Sequence, residues 1–348
     1  MTTKVQPAVV GATGYAGFEL ARLLLKHPRV QAPVLFTREG DGGESIRLDE
    51  MYPHISGNGG YPLHPFAWDA LRAKGVNVLF LATPHEVSRE WVPEAMRQGV
   101  HVIDLSGAWR LADPAARAVY EFHDQDPELA ERLTSQAVYG IPELHRAQLK
   151  EAALVANAGC YATSIILALA PLVRAGLVDL QHGIICDSKS GVSGAGKQPT
   201  AKTHFVEVAE NLSAYSVFNH RHTGEILEQL GLTPEQLVFT PHLLPIPRGI
   251  LSTIYLRLLL PGRPEAIEDC LRAFYAQSPW VRIFAHGKLP QIQYSLHTNY
   301  CDVGFTLAPD RKRVVMVSCL DNLIKSAAGQ AVQNMNLMFG WNEEEGLK

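Results

Sequence analysis

The stretch VQPAVVGATGYAGFELARLLLKH, residues 5–27, constrains the fold of this chain more than any other. A short apolar run reaches Gly11, glycines follow at 14 and 17, and Leu20, Leu23, Leu24 and His27 then recur on one helical face. A strand that turns tightly into a helix leaves the helix N-terminus, with its unpaired N–H groups and positive dipole end, facing whatever lies beyond the strand. A pyrophosphate binds there in dinucleotide folds. The spacing is G-x-x-G-x-x-G, not the commoner G-x-G-x-x-G, and a plain tight turn would also use these glycines. The strand-turn-helix setting is what points Gly11, Gly14 and Gly17 to a dinucleotide.

Four further apolar runs, APVLF (32–36), VNVLFLAT (76–83), HVIDLS (101–106) and ALVAN (153–157), alternate with helix-period segments. Continuous rather than alternating apolar strands predict a parallel sheet covered on both faces. Beyond residue 180 the strands lengthen (HGIICDSKS, LVFTPHLLPI, GILSTIYLRLLL, DVGFTLA, RVVMVSCL) and helices become few, apart from one expected around 265–277. The fold class is therefore α/β: a Rossmann-type dinucleotide-binding domain plus an α+β domain with a mixed, largely antiparallel sheet. A length of 348 residues suits two domains. DNLIKSAAGQAVQNMNLMFG (321–340) reads as one helix capped by Asp321 or Asn322.

Composition excludes several functions. The net charge of −4 lacks the basic excess that nucleic acid demands. The longest apolar run, IILALAPLV (165–173), is broken by Pro171 and falls short of the ~20 residues of a membrane span. One lysine followed at once by the glycine turn is no signal peptide, so a cytoplasmic location is expected. The five cysteines (Cys160, Cys186, Cys270, Cys301, Cys319) form no C-x-x-C pair, and neither a disulfide framework nor a metal site is expected.

Four features carry chemistry. Arg38 ends the second strand where an NAD enzyme keeps an acid for the ribose 2′-OH; a guanidinium there suits a 2′-phosphate, hence NADP, although a solvated loop charge also accounts for it. Cys160 follows a buried strand at the first turn of a helix, where the dipole favours a thiolate and free N–H groups favour an oxyanion. His220 and His222, in FNHRHTGEI just before another helix, offer the acid/base partner that a nucleophilic thiol needs. The loop SGVSGAGKQP (190–199) has the G-x-x-x-x-G-K spacing of a nucleotide-triphosphate loop but puts Gln198 where a magnesium-binding hydroxyl belongs, so an anion nest is expected instead.

In order along the chain, GATGYAG, FLATPHEVS, VIDLSGAWRL, YGIPEL, NAGCYAT, SKSGVSGAGK, HRHTGEI, FTPHLLPIPRGI and DNLIKSAAGQA resemble the N-acetyl-γ-glutamyl-phosphate reductases of arginine biosynthesis, relatives of aspartate-semialdehyde and glyceraldehyde-phosphate dehydrogenases. Two departures stand out: Ala158 where proline usually precedes Gly-Cys, and His297 where glycine is common. The resemblance implies reduction of the small molecule N-acetylglutamyl 5-phosphate by NADPH through a Cys160 thioester, releasing inorganic phosphate. It implies His222 as acid/base and His220 as the residue that orients it or the substrate. Thr13, Tyr15, Ser193, Gly194 and Asn322 would join the three glycines and Arg38 around the cofactor. Ser106, Arg110, Asn157, Ser190, Gly191 and Arg248 would hold the substrate, Arg110 at its phosphate and Arg248 at a carboxylate. The expected domains are 1–159 with 321–348 for NADP, and 160–320 for catalysis, substrate and assembly into a homodimer or homotetramer.

Overall fold

The computed structural model describes residues 4–37, 47–55 and 60–348. The chain forms two compact units, Met1–Ala158 with Ala327–Lys348, and Gly159–Ser326. Among the described residues, no helix is long and apolar enough to cross a membrane.

The first unit is built on β1 (Pro7–Val10), β2 (Val34–Thr37), β3 (Leu63–Pro65), β4 (Val78–Leu81), β5 (His101–Asp104), β6 (Val138–Gly140) and β7 (Leu154–Asn157). They pair in the order β3-β2-β1-β4-β5-β7-β6, and all are parallel. Val78–Leu81 and Ala8–Val10 are wholly buried, so side chains on both faces of the sheet meet apolar cover and no polar alternation survives. The strand order reverses at β1, the position at which open parallel sheets bind ligands.

Gly11 closes β1 with φ 83°, and a Cβ there would lie 2.3 Å from the Ala82 carbonyl oxygen. A Cβ on Gly17 would lie 2.1 Å from the oxygen of Gly11. Only glycine lets the Tyr15–Lys26 helix start this close to the strand it follows. Leu20 and Leu24 of that helix share a core with Ala331 and Met335 of the Gly329–Met338 helix.

That C-terminal helix departs from expectation. It begins at Gly329 rather than near Asp321, because the chain first makes a π-turn at Ile324–Ala328 with Ser326 at φ 87°. Asp321 still caps locally, accepting the Leu323 N–H at 2.8 Å. The helix is buried all round although it carries Gln330, Gln333, Asn334 and Asn336. Buried amides need partners: Asn334 Nδ2 donates to Gly140 O (3.1 Å) and Asn157 Oδ1 (2.9 Å), and Asn336 Oδ1 meets His27 Nε2 (3.0 Å).

The second unit holds β8 (Ile184–Gly191), β9 (Ser213–Ala214), β10 (Leu237–Leu244), β11 (Ile250–Arg257), β12 (Val281–Ile283), β13 (Cys301–Leu307) and β14 (Arg313–Leu320). Their order is β12-β13-β14-β11-β8-β10-β9, with β8–β10 and β12–β13 parallel and the other pairs antiparallel. One face carries the Cys160–Arg174 helix, buried from Tyr161 to Leu172. On the other face Ile185 is 48% and Tyr255 44% exposed.

Pro171 sits inside the Cys160 helix and offers no N–H to the carbonyl of Leu167 four residues back. The Tyr275 hydroxyl donates to that carbonyl at 2.6 Å instead. Tyr275→Phe is expected to lower the unfolding free energy by about 1–2 kcal/mol, the cost of an orphaned buried acceptor. Urea unfolding checks this: the midpoint falls while the slope is unchanged.

Candidate active site

Gly159 is the N-cap of the Cys160 helix, in extended backbone conformation, and both its polar groups are anchored. Its carbonyl accepts Thr163 Oγ1 at 2.9 Å, and its N–H donates to Glu225 Oε2 at 2.9 Å. Glu225 is fully buried, and its other oxygen, Oε1, lies 3.8 Å from His222 Nε2. One carboxylate thus fixes the turn that presents the thiol and faces the imidazole beside it. Sequence reasoning passed over Glu225; its signal was the three-residue step from His222 within HRHTGEI, which puts both on one helical face.

His220 has a different environment. Its ring lies edge-on to Tyr161 (5.6 Å between centroids), Tyr215 (5.6 Å), Phe239 (5.3 Å) and His222 (4.7 Å). Burial, reinforced by the neighbouring His222, pushes its pKa down to about 3. The ring is neutral at physiological pH, and since Nδ1 accepts the His222 N–H at 3.1 Å, its proton is assigned to Nε2. Burial also pushes the Tyr215 hydroxyl up to about 12 and Tyr161 higher still. The Tyr161 hydroxyl donates to His242 O at 2.8 Å and forms a neutral, fixed wall.

Cys160, Tyr161, Ser190, Gly191, Gly194, Tyr215, His220 and His222 line one cavity of about 630 Å³, along with the polar segment Thr200–Thr203 and Arg221. The structure thereby brings together Cys160, both histidines and the glycine loop. The loop itself differs from expectation. The N–H groups of Gly191, Val192 and Ser193 donate to the carbonyls of Gly249, Ile246 and Pro247, so much of the expected anion nest is spent on backbone pairing. Gly191 is needed for this approach, since a Cβ would lie 2.7 Å from Arg248 N. Asn322 locks the same region, accepting the Gly249 N–H (2.8 Å) and donating to Ser193 Oγ (3.0 Å). Arg248 does not line the cavity; its guanidinium meets the buried Asp321 carboxylate at 3.3 Å. His297 donates its N–H to that carboxylate with φ 61°, the left-handed conformation glycine takes without strain.

In the first unit, Arg110 donates from Nε to Asn157 O and from Nη2 to Leu105 O, both at 2.8 Å. Ser106 Oγ donates at 2.7 Å to Asp104, whose buried carboxyl is raised above the usual range by desolvation. The Asn157 side chain is turned to structure, holding Ala327 O and Asn334. Thr13 O accepts the Tyr52 hydroxyl at 2.9 Å, and Tyr15 stands 38% exposed at the helix start. The turn of Gly11, Gly14 and Gly17 leads into the N-terminus of the Tyr15–Lys26 helix, the kind of site that suits a dinucleotide pyrophosphate. Arg38 lies outside the described residues. Among the described residues, no group of three or more His, Cys, Asp or Glu is placed to hold a metal ion.

Residues 6–152 match the semialdehyde dehydrogenase NAD binding domain, and residues 160–322 the semialdehyde dehydrogenase dimerisation domain. The two family models therefore define a two-domain oxidoreductase that uses a nicotinamide dinucleotide. The same fold appears in aspartate semialdehyde dehydrogenase II of Vibrio cholerae complexed with ASA (TM-score 0.72, 19% identity, 97% of this chain and 98% of that one). It recurs in a probable aspartate-semialdehyde dehydrogenase from Pseudomonas aeruginosa (TM-score 0.70, 21% identity, 97% and 98%). At the sequence level the chain is 43% identical over 346 residues to N-acetyl-gamma-glutamyl-phosphate reductase of Shouchella clausii, covering 99% of this chain and 98% of the relative. It is 44% identical to the enzyme of that name from Geobacillus kaustophilus (98% and 97%) and 41% to that from Bacillus subtilis (97% and 97%). The chain belongs to the N-acetyl-gamma-glutamyl-phosphate reductase family.

The His220 environment has a measurable consequence. Between pH 6.5 and about 3 the unfolded chain binds a proton at this position that the folded chain refuses, so stability falls as the pH falls through that window. His220→Asn is expected to make this acid limb shallower, by up to about 1.4 kcal/mol per pH unit near pH 5. Urea unfolding from pH 4.5 to 6.5 measures the slope; equal slopes in both proteins would refute a buried neutral ring.

Proposed function

We propose that this chain reduces N-acetyl-L-glutamyl 5-phosphate to N-acetyl-L-glutamate 5-semialdehyde in arginine biosynthesis, using NADPH and releasing inorganic phosphate in the cytoplasm. The observation that carries this reading is Glu225, which joins the N-cap of the Cys160 helix to His222 within one cavity. That arrangement serves an attacking thiol, in a chain 43% identical over its length to a reductase of that name.

Cys160 Sγ attacks the C5 carbonyl; the C–S bond forms, the C–O bond to phosphate breaks and a thioester remains. His222 takes the thiol proton, and the Glu225 carboxylate 3.8 Å from its Nε2 favours the imidazolium so formed. Amides of the first turn of the Cys160 helix, which no helical carbonyl engages, stabilise the oxyanion on the attacked carbon. NADPH, when bound, supplies the hydride that converts the thioester carbon to the aldehyde level. Collapse then returns the thiolate. His220, neutral and fixed among aromatic rings, orients His222 through the His222 N–H. Arg110 is assigned to the substrate phosphate, since a guanidinium stays charged and binds such a group bidentately. Ser106, Asn157, Ser190 and Gly191 complete the substrate set. Arg248, already paired with Asp321, is the member of that set least suited to a substrate carboxylate. Thr13, Tyr15, Ser193, Gly194 and Asn322 are assigned with the glycine turn to the cofactor. Self-association is assigned to the open sheet face bearing Ile185 and Tyr255, within the matched dimerisation domain.

NADP reduction measured with N-acetylglutamate semialdehyde plus phosphate, and in parallel with aspartate semialdehyde, tests the substrate. Cys160→Ser is expected to abolish turnover while NADPH still binds. His222→Asn should slow turnover by roughly 10²- to 10⁴-fold and flatten the pH profile. Faster turnover of aspartate semialdehyde would overturn the assignment.

Cofactor choice rests on Arg38. The wild type is expected to prefer NADPH over NADH, and Arg38→Asp to erase most of that preference; equal kcat/KM for both cofactors in the wild type contradicts the role.

A further inference from the structure

Beneath the Cys160 helix lies a set of hydroxyls that the mechanism does not use. Ser188, Ser252 and Ser318 belong to the adjacent strands β8, β11 and β14 and stand directly opposite one another in register, Ser252↔Ser188 and Ser252↔Ser318. They form one polar rung across the sheet. The rungs on either side are less polar: Cys186, Ile254 and Met316 two residues one way, and Ser190, Ile250 and Leu320 the other, where the single hydroxyl, Ser190, is spent on the Gly191 carbonyl. Ser164 of the helix is seated on the polar rung, its Oγ 2.9 Å from Ser252 Oγ and 3.1 Å from Ser318 Oγ. Ser252 Oγ is 2.8 Å from Ser188 Oγ, and Ser318 Oγ is 3.4 Å from Cys301 Sγ. All five side chains are completely buried.

We infer that this buried hydroxyl cluster sets the register of the helix on the sheet, and so fixes where Cys160 stands; Ser164 is a positioning residue for the nucleophile. The inference rests on the reading of Cys160 as nucleophile. Helix surfaces made only of aliphatic side chains slide and rotate at small cost, because one apolar contact replaces another. A rung of three aligned hydroxyls met by a fourth from the helix removes that freedom. A shift of one residue moves the helix by about 1.5 Å and turns it by about 100°, setting the Ser164 hydroxyl against aliphatic groups and leaving buried hydroxyls without partners. Ser164 lies four residues, about one turn, beyond Cys160, on the same side of the helix, so an error at one is passed to the other. The anchor at Gly159 sets the start of the helix; the serine rung sets its seat on the sheet.

Orphaned and absent hydroxyls behave differently, and this separates positioning from mere stability. Ser164→Ala removes one partner and leaves the rung incomplete. Replacing Ser164, Ser188, Ser252 and Ser318 together by Ala removes every hydroxyl of the cluster and costs only the weakly hydrogen-bonding Cys301 thiol a contact, so stability returns toward that of the wild type, whereas the register signal is gone. In both variants we expect kcat to fall by about tenfold or more, within the ~10²-fold that an ångström of misplacement costs. The rate of iodoacetamide alkylation at Cys160, read by peptide mass spectrometry, should change in parallel. The Kd for NADPH should stay unchanged. Wild-type kcat and alkylation rate in the stable quadruple variant would overturn the inference, as would losses in Ser164→Ala that the quadruple variant restores along with its stability. If the quadruple variant does not fold, folded Ser164→Ala decides alone, a wild-type alkylation rate being the contrary result. Cys160→Ser run alongside separates the two claims: retained turnover removes the nucleophile reading, and lost turnover with unaffected serine variants removes only this one.

Discussion

The Glu225 carboxylate is shut off from solvent and holds two things at once. One oxygen takes the N–H of Gly159, the other faces the His222 ring. A buried carboxylate without such partners would protonate or pull in water. With them, the turn before Cys160 is pinned, and the same group faces the His222 ring. Losing the carboxylate would release both the backbone turn that presents Cys160 and the His222 ring, since the same group meets the two.

The first unit works by a different rule, in which glycine and amide side chains replace charge. Gly11 and Gly17 allow a helix to begin so near its strand that any Cβ would collide with backbone. Asn157, at the end of β7, then uses its amide to hold the buried C-terminal helix through Asn334 and Ala327. Polar residues in that helix are tolerated in the core because they find partners on the strands beside it.

The features legible in the sequence were local ones. The glycine turn, the continuous apolar strands and the cysteine at a helix start are each written in a dozen consecutive residues, and the structure forms them where they were read. Features that depend on distant partners were not legible. Glu225 reads as one more acid in a helix until its contact with Gly159, 66 residues away, is seen. Ser188, Ser252 and Ser318 read as polar residues in apolar strands until their register aligns them. The loop after β8 looked like an anion nest because glycines leave N–H groups free; residues 246–249 claim several of them, which only the folded sheet could reveal. The late start of the C-terminal helix follows from a left-handed Ser326, a conformation sequence rarely announces outside glycine and asparagine.

The Gly329–Met338 helix belongs to the core of the first unit, yet it is made after the whole of Gly159–Ser326. On the ribosome, the amino-terminal strands therefore emerge well before the helix that covers them. The second unit is contiguous in sequence, whereas the parallel sheet of the first lacks part of the cover on one face until the Gly329–Met338 helix has been made. Newly made chains pass through an interval in which a parallel sheet of buried-type strands is exposed, the kind of surface that chaperones hold.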